Sequence, residues 1–340
     1  MPDASRPSVR IGDRPIGHER PTYLIAEVGS NHDGSLDRAL ELVRAAAEAG
    51  ADAVKFQSFT ADGITRTREP AFPILERLAV PDPWHAPLFE EARARGIDFL
   101  STPFDEGRAD LLARIGVPAF KIASGDLTHH ALLAHVASLG RPVLLSTGLA
   151  DQREIERAVA VLEDAGCRQL VLLHCVAAYP PCWEDLNLRA VRTLDREFAW
   201  PVGLSDHSPG HDAVVAALAL GACVVEKHVT YDRQATGPDH AYALTFDEFA
   251  SMVAAVRHTE QALGDGRLAP ADCEKDGRRL GRRSVHAACD LAAGVELRPS
   301  MWKIVRPAEG VAADEAPELV GRRLRRPVGS DEPISWDDVA

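Results

Sequence analysis

PVGLSDHSPGHDAVVAALALGACVVEKHVT, residues 201–230, is the stretch whose reading decides the fold. Two apolar strands frame an amphipathic helix, and each strand ends in polar groups and a histidine. The first delivers Ser205, Asp206 and His207; the second delivers Glu226, Lys227 and His228. Parallel strands joined by a right-handed helical crossover lie side by side or nearly so, and their C-terminal ends face one space. Two imidazoles there, among carboxylates and an ammonium, form a candidate metal or acid/base site.

The same rhythm runs outward in both directions. Apolar strands are predicted over 23–28, 53–57, 98–102, 119–124, 142–147, 169–175, 201–205 and 223–228. Helical patterns cover 36–49, 84–95, 108–115, 131–138, 154–165, 188–197, 212–220 and 246–263, opening on Asp, Ser or Pro and closing near Gly. Eight such units over about 240 residues have the count and size of a (β/α)8 TIM barrel, with a doubly wound open sheet as the alternative. Every strand enters apolar and leaves polar, which is the pattern of a barrel with its site at the C-terminal face.

Three further segments complete the chain. Residues 1–21 are polar and proline-rich, without the apolar core of a signal peptide, and 9–16 reads as a small hairpin around Gly12-Asp13 that covers the barrel floor. The barrel domain is therefore placed at 1–265. Residues 266–283 read as a charged linker, and 284–340 as a small β-rich domain that needs a surface to dock on.

Composition narrows the class. The 340 residues are 46% hydrophobic and carry a net charge of −13, which argues against nucleic acid or an anionic membrane as partner. No apolar run is long enough to span a bilayer. Six cysteines without CxxC spacing point to buried thiols in a reducing cytoplasm. Of only five lysines, Lys55, Lys121 and Lys227 sit in apolar strands. A buried ammonium needs an anion, either a substrate or an internal carboxylate such as Glu27 or Asp126.

Taken in order, AEVGSNHDGS, VKFQSF, STPFD, KIASGD, STG, LLHCVAAYP, GLSDHS, EKHVT and GPDHAYAL resemble the motifs of the sialic acid synthases, N-acetylneuraminate synthase-like (NeuB-like) enzymes, over roughly residues 20–338. The C-terminal part is similar to their antifreeze-like SAF domain. The resemblance implies a transferase that joins phosphoenolpyruvate to an N-acyl hexosamine of N-acetylmannosamine type, releasing inorganic phosphate. A related 3-deoxy-ulosonate synthase for a legionaminic, pseudaminic or secondary-metabolite sugar is the alternative. It also implies a divalent cofactor, Mn2+ or Mg2+, on His207 and His228, and a domain-swapped homodimer.

Residue by residue, the resemblance assigns phosphoenolpyruvate to Lys55, Thr102, Lys121, Ser124, Ser146 and Ser205. It assigns the sugar to Glu27, Gln57, Asp126, Tyr179, Asp239 and Arg306, with Glu27 and Asp239 joining the histidines as catalytic groups. Each has a plainer reading: strand-end serines form turns, Asp239 caps a loop, and Arg306 is a solvated arginine. Two departures from the family pattern stand out. Ala177 or Ala178 stands where the HCxxxYP loop often carries a polar residue, and Asp126 stands where a longer Glu can occur. A non-catalytic carbohydrate-binding protein and a metal-dependent barrel isomerase are the rival classes; the retained His207, His228 and Lys55 disfavour the first, and the GPD loop with the SAF-like tail disfavours the second.

Overall fold

The computed structural model describes residues 9–340, which divide into two compact units, one ending at Gly264 and the other spanning Asp265–Ala340. The first opens with the hairpin β1 (Val9–Ile11) and β2 (Arg14–Ile16), antiparallel around Gly12-Asp13. Val9 and Ile11 are fully buried, while Arg14 bonds to Asp52 and the Arg10 amide to Gln169, both beside strand starts. The hairpin thus covers the barrel floor.

The predicted rhythm follows. β3 (Tyr23–Glu27), α1 (Leu36–Glu48) and β4 (Ala53–Ser58) lead into α2 (Ala61–Ile64), α3 (Phe72–Leu78) and α4 (Asp82–Ala94). Next come β5 (Asp98–Pro103), α5 (Glu106–Ile115), β6 (Phe120–Ile122), α6 (His130–Ser138), β7 (Val143–Ser146) and α7 (Gln152–Asp164). β8 (Leu170–Cys175), α8 (Ala190–Glu197), β9 (Val202–Asp206), α9 (Asp212–Ala219), β10 (Val224–Thr230), the short β11 (Leu244–Thr245) and α10 (Phe246–Leu263) complete the unit.

Ladder hydrogen bonds run β5-β4-β3-β10-β9-β8-β7-β6, all parallel, and β5 packs beside β6 to bring the circle round. A parallel sheet covered by helices is buried on both faces, so its strands are apolar almost throughout. Leu24, Ile25, Val54, Leu144, Val171, Leu172 and Val224 accordingly have no exposed surface. The helices start on designed ends: Asp151 with Glu154, and Thr245 with Glu248, form capping boxes on α7 and α10. Gly116 closes α5 in the left-handed region at φ 94°, where a Cβ would be strained.

Three expectations need correction. The strand predicted over 119–124 is only Phe120–Ile122, because the chain tightens into a 3-10 turn at Ser124–Asp126. α2 and α3 fill a stretch that had no helical reading. Of the six thiols, Cys182, Cys273 and Cys289 are exposed, since each falls outside the strand-and-helix core.

The second unit has its own apolar core around Val285, Leu297, Val311, Leu319, Leu324 and Ile334. β12 (Ser284–Ala287) pairs antiparallel with β13 (Trp302–Val305), and isolated bridges tie in the remaining turns. The segment 266–283, read as linker, contains α11 (Lys275–Gly281), whose Arg279 carbonyl accepts from the Ala308 amide at 2.8 Å and whose guanidinium meets Glu309 at 3.2 Å. No helix of the described residues is long and apolar enough to cross a membrane.

Gly203 marks a tight point between strands: a Cβ there would meet the Val224 carbonyl oxygen at 2.4 Å and Leu173 Cδ2 at 2.6 Å. Overpacking of this kind costs about 1–3 kcal/mol. Gly203→Ala is therefore expected to lower the thermal midpoint of the barrel by several degrees in a calorimetric scan; an unchanged midpoint would show that β9 shifts freely.

Candidate active site

In a strand, alternate side chains share a face. On β10, Glu226 and His228 point into the barrel mouth; on β9, Ser205 and on its exit His207 do the same, beside Lys55 and Gln57 of β4. Together with Glu27, Thr102, Lys121, Ser124, Ser146 and Tyr179 they line one small cavity of about 60 Å³ at the C-terminal face. A wider cleft of about 540 Å³ lies at the opposite, floor end beside His18, Thr22 and Cys223, and brings together no lysines or paired imidazoles.

The charges in the mouth are mutually compensated. Lys55 Nζ lies 2.7 Å from Glu27 Oε2 and 3.7 Å from Glu226 Oε2, and it donates to Thr102 Oγ1 at 3.2 Å. Lys121 Nζ stands 3.7 Å from Glu226 Oε1 and donates to the Ile122 carbonyl at 3.1 Å. Glu226 also accepts from Ser205 Oγ at 2.9 Å, and Glu27 from Gln57 Nε2 at 2.9 Å. The internal partner of Lys55 is thus Glu27, as one reading had it, but that of Lys121 is Glu226 and not Asp126.

These contacts set the titration. Burial opposes charge on Glu226, but Lys121, Lys55 and the Ser205 bond outweigh it and hold the carboxyl low. Burial dominates at Glu27 and raises it, against the pull of Lys55. Lys121 is lowered by burial and by Lys55. Lys55 is raised, because Glu226 and Glu27 overcome its desolvation.

The two imidazoles stand 5.4 Å apart, centroid to centroid, with Tyr179 4.3 Å from His207 and Tyr242 5.0 Å from His228. Burial first, then the neighbouring His228, pushes His207 down to about 4; burial, with Lys55 close by, does the same for His228. Both rings are neutral at pH 7. The His207 Nδ1 faces the Val176 carbonyl at 3.0 Å, which can only accept, so that nitrogen carries the proton and Nε2 keeps a lone pair. His228 Nδ1 is buried without a hydrogen-bond partner. Ser146 Oγ is likewise buried and unpartnered. Among the described residues no third His, Cys, Asp or Glu completes a metal cluster.

Asp126 and Asp239 stand outside the cavity lining. Asp126 follows β6 in the 3-10 turn, and burial raises its carboxyl. Asp239 is saturated: Oδ2 accepts from Ser30 N at 2.8 Å and Ser30 Oγ at 2.7 Å, and Oδ1 from Tyr242 OH at 2.8 Å. Burial opposes its charge, yet His228 and these bonds keep it ionised. Arg306 belongs to the second unit, directly after β13. Sequence reasoning gave no role to Glu226 or Cys175, both in the lining, or to Tyr242. The signal for Glu226 is its place two residues before His228, on the same strand face.

An eight-stranded parallel barrel with convergent lysines, hydroxyls and imidazoles at its C-terminal mouth defines a barrel enzyme. The chain matches the NeuB family over residues 42–268 and the SAF domain over 282–340. It is 38% identical to the N,N'-diacetyllegionaminic acid synthase of Legionella pneumophila over 96% of this chain and 97% of that one. It is 30% identical to the N-acetylneuraminate-9-phosphate synthase of Mus musculus over 95% and 94%. The crystal structure of N-acetylneuraminic acid synthetase from Leptospira borgpetersenii, in complex with citrate, superposes with a TM-score of 0.77 at 35% identity, over 80% of this chain and 95% of that one. The protein belongs to the NeuB family and is an enzyme of sialic acid synthase type.

A histidine whose folded pKa lies below its ordinary 6.5 contributes stability that is present above 6.5 and lost as pH falls toward about 4. The thermal midpoint of the metal-free protein is expected to fall across that window, and to fall less steeply in the His207→Gln/His228→Gln variant. Parallel curves from differential scanning fluorimetry would contradict this assignment.

Proposed function

We propose that the protein condenses phosphoenolpyruvate with an N-acyl hexosamine of N-acetylmannosamine type, giving a nine-carbon sialic-acid-type acid and inorganic phosphate. The observation that carries this is the single cavity lined by Lys55, Lys121, His207 and His228. Two ammonium groups and a ring of hydroxyls suit a ligand with phosphate and carboxylate on adjoining atoms, and two neutral imidazoles beside them suit an oxygen-bearing electrophile.

Lys55 and Lys121 neutralise the phosphate and carboxylate, Thr102, Ser124 and Ser146 donate to their oxygens, and Ser205 joins them once its hydroxyl turns from Glu226. Ser146, buried with no acceptor of its own, supports that role. Gly148 N already donates to Ser124 Oγ at 3.1 Å, which leaves the Ser124 hydroxyl proton free to bond an anion. Carbon 3 of the enol phosphate forms a bond to the aldehyde carbon, and the aldehyde oxygen takes a proton. Water adds at carbon 2, and cleavage of the carbon–oxygen bond releases phosphate and leaves the ketone. Glu27, raised by burial, is suited to exchange a proton during this sequence.

His207 and His228 fit a divalent cation, manganese or magnesium: both are neutral, and each offers an unprotonated ring nitrogen. When bound, such a cation supplies Lewis acidity toward the sugar carbonyl. Gln57, Asp126, Tyr179 and Asp239 we assign to the sugar, Asp239 as a fixed anion that holds the loop beside His228. Arg306 we assign to the N-acyl group of a sugar bound by the partner in a domain-swapped homodimer. We place such an enzyme in the cytoplasm.

A second reading replaces the acceptor by a diacetylated hexosamine, and the 38% and 36% identity to two N,N'-diacetyllegionaminic acid synthases favours it. Phosphate release with phosphoenolpyruvate and a panel of N-acyl hexosamines, followed by product mass, separates the two. Absence of any product across the panel would sink the condensation itself.

Lys121→Met is expected to cut kcat/KM for phosphoenolpyruvate by about 100-fold, equivalent to about 2.7 kcal/mol of lost charge stabilisation. Steady-state kinetics on a folded variant provide the check. A change below about threefold would remove Lys121 from the anion site.

A further inference from the structure

On the other face of the two strands that carry the imidazoles, a separate ion pair is buried. Lys227 Nζ lies 2.5 Å from Asp206 Oδ2, and the two residues are 1% and 2% exposed. The same ammonium donates to the Ser208 carbonyl, and Asp206 Oδ1 accepts from the Ser208 amide at 2.9 Å. Neither residue lines the cavity, so neither touches a substrate there.

A buried pair of this kind is seldom the most stable filling of its space, since apolar residues of like volume do as well. Its placement suggests another use. Asp206 and Ser208 are the two neighbours of His207, and Lys227 is the neighbour of His228. Asp206 and Lys227 are also directly opposed in the ladder between β9 and β10. The ammonium therefore ties both flanks of one imidazole to the residue that precedes the other.

We infer that Lys227 and Asp206 are positioning residues that set the separation and tilt of the His207 and His228 rings. This rests on the reading of those rings as the cation-holding pair. Partners bonded directly to metal-binding histidines are worth about 10–100-fold in affinity, and this pair, one residue removed from each ring, would act on the same rings through the backbone.

The test is calorimetric titration of manganese into the metal-free full-length protein, with kcat and KM for phosphoenolpyruvate measured alongside. In Lys227→Met/Asp206→Leu, where no charge is left unpaired, manganese binding is expected to weaken about 10–100-fold. kcat should fall while KM for phosphoenolpyruvate stays near the wild-type value, and Lys227→Arg should recover most of the affinity. A folded double variant that loses less than about fivefold in affinity overturns the inference. Should the double variant fail to fold, Asp206→Asn decides by the same threshold. His207→Ala is the control for the underlying reading. If it binds manganese as tightly as wild type, the cation assignment falls, and nitrogen-15 spectra of the histidine rings decide the positioning: displaced His207 and His228 resonances in Asp206→Asn support it, superimposable spectra overturn it.

Discussion

A carboxylate held between two buried ammonium groups is the constraint on which the barrel mouth depends. Glu226 stands 3.7 Å from both Lys55 and Lys121, with Glu27 closing the set on Lys55. Any one of these charges alone would cost several kcal/mol to bury, and together they leave a site that is near neutral before ligand enters. An incoming dianion would meet ammonium groups already fixed in place, so little reorganisation remains to be done at the moment of reaction. In the proposed reading, where the lysines receive an anion, the internal carboxylates hold Lys55 charged until a substrate shares it. The net charge of −13 makes that local arrangement necessary, because the remainder of the chain repels anions.

The imidazoles answer to the opposite requirement. Burial keeps them uncharged, at about 4, helped by the neighbouring ring at His207 and by Lys55 at His228. Within a few ångströms the mouth therefore stabilises charge on some groups and suppresses it on others. The difference lies in partners: Lys55 has two carboxylates in reach, whereas His207 has a backbone carbonyl and an aromatic ring. Tyr179 and Tyr242 shield the rings from solvent on one side, and Asp239 is fully committed to Ser30 and Tyr242.

Much of this was legible in the chain. Eight apolar strands with polar exits announced the barrel, since a sheet buried on both faces has few other ways to be written. The hairpin at β1 and β2 was readable from Gly12-Asp13, and α10 from the helical pattern over 246–263. What escaped was structure made by tertiary contact. α2 and α3 are short and weakly patterned, and α11 forms in a charged segment anchored by the bond from the Ala308 amide to the Arg279 carbonyl. The partner of Lys121 escaped for a different reason. Asp126 is nearer in sequence, but β6 ends at Ile122 and the following turn carries Asp126 out of the lining, leaving Glu226, more than a hundred residues away, as the nearest carboxylate.

The three residues Glu226, Lys227 and His228 also explain why the register of β10 is so firmly set. Successive side chains in a strand face opposite ways, so a slip of one residue exchanges the faces. It would turn Lys227 into the mouth, where Lys55 and Lys121 already stand, and press Glu226 and His228 against the helices without partners. The ladder fixes the alternative: Glu226 opposes Ser205, Lys227 opposes Asp206, and His228 opposes Glu27 on the other side. Each polar side chain then finds a neighbour of matching chemistry, inward to the cavity or outward to the buried pair. An alternating polar triplet at the end of an apolar strand, VVEKHVT, thus specifies the chemistry of the site and the alignment of the strand that carries it with the same residues.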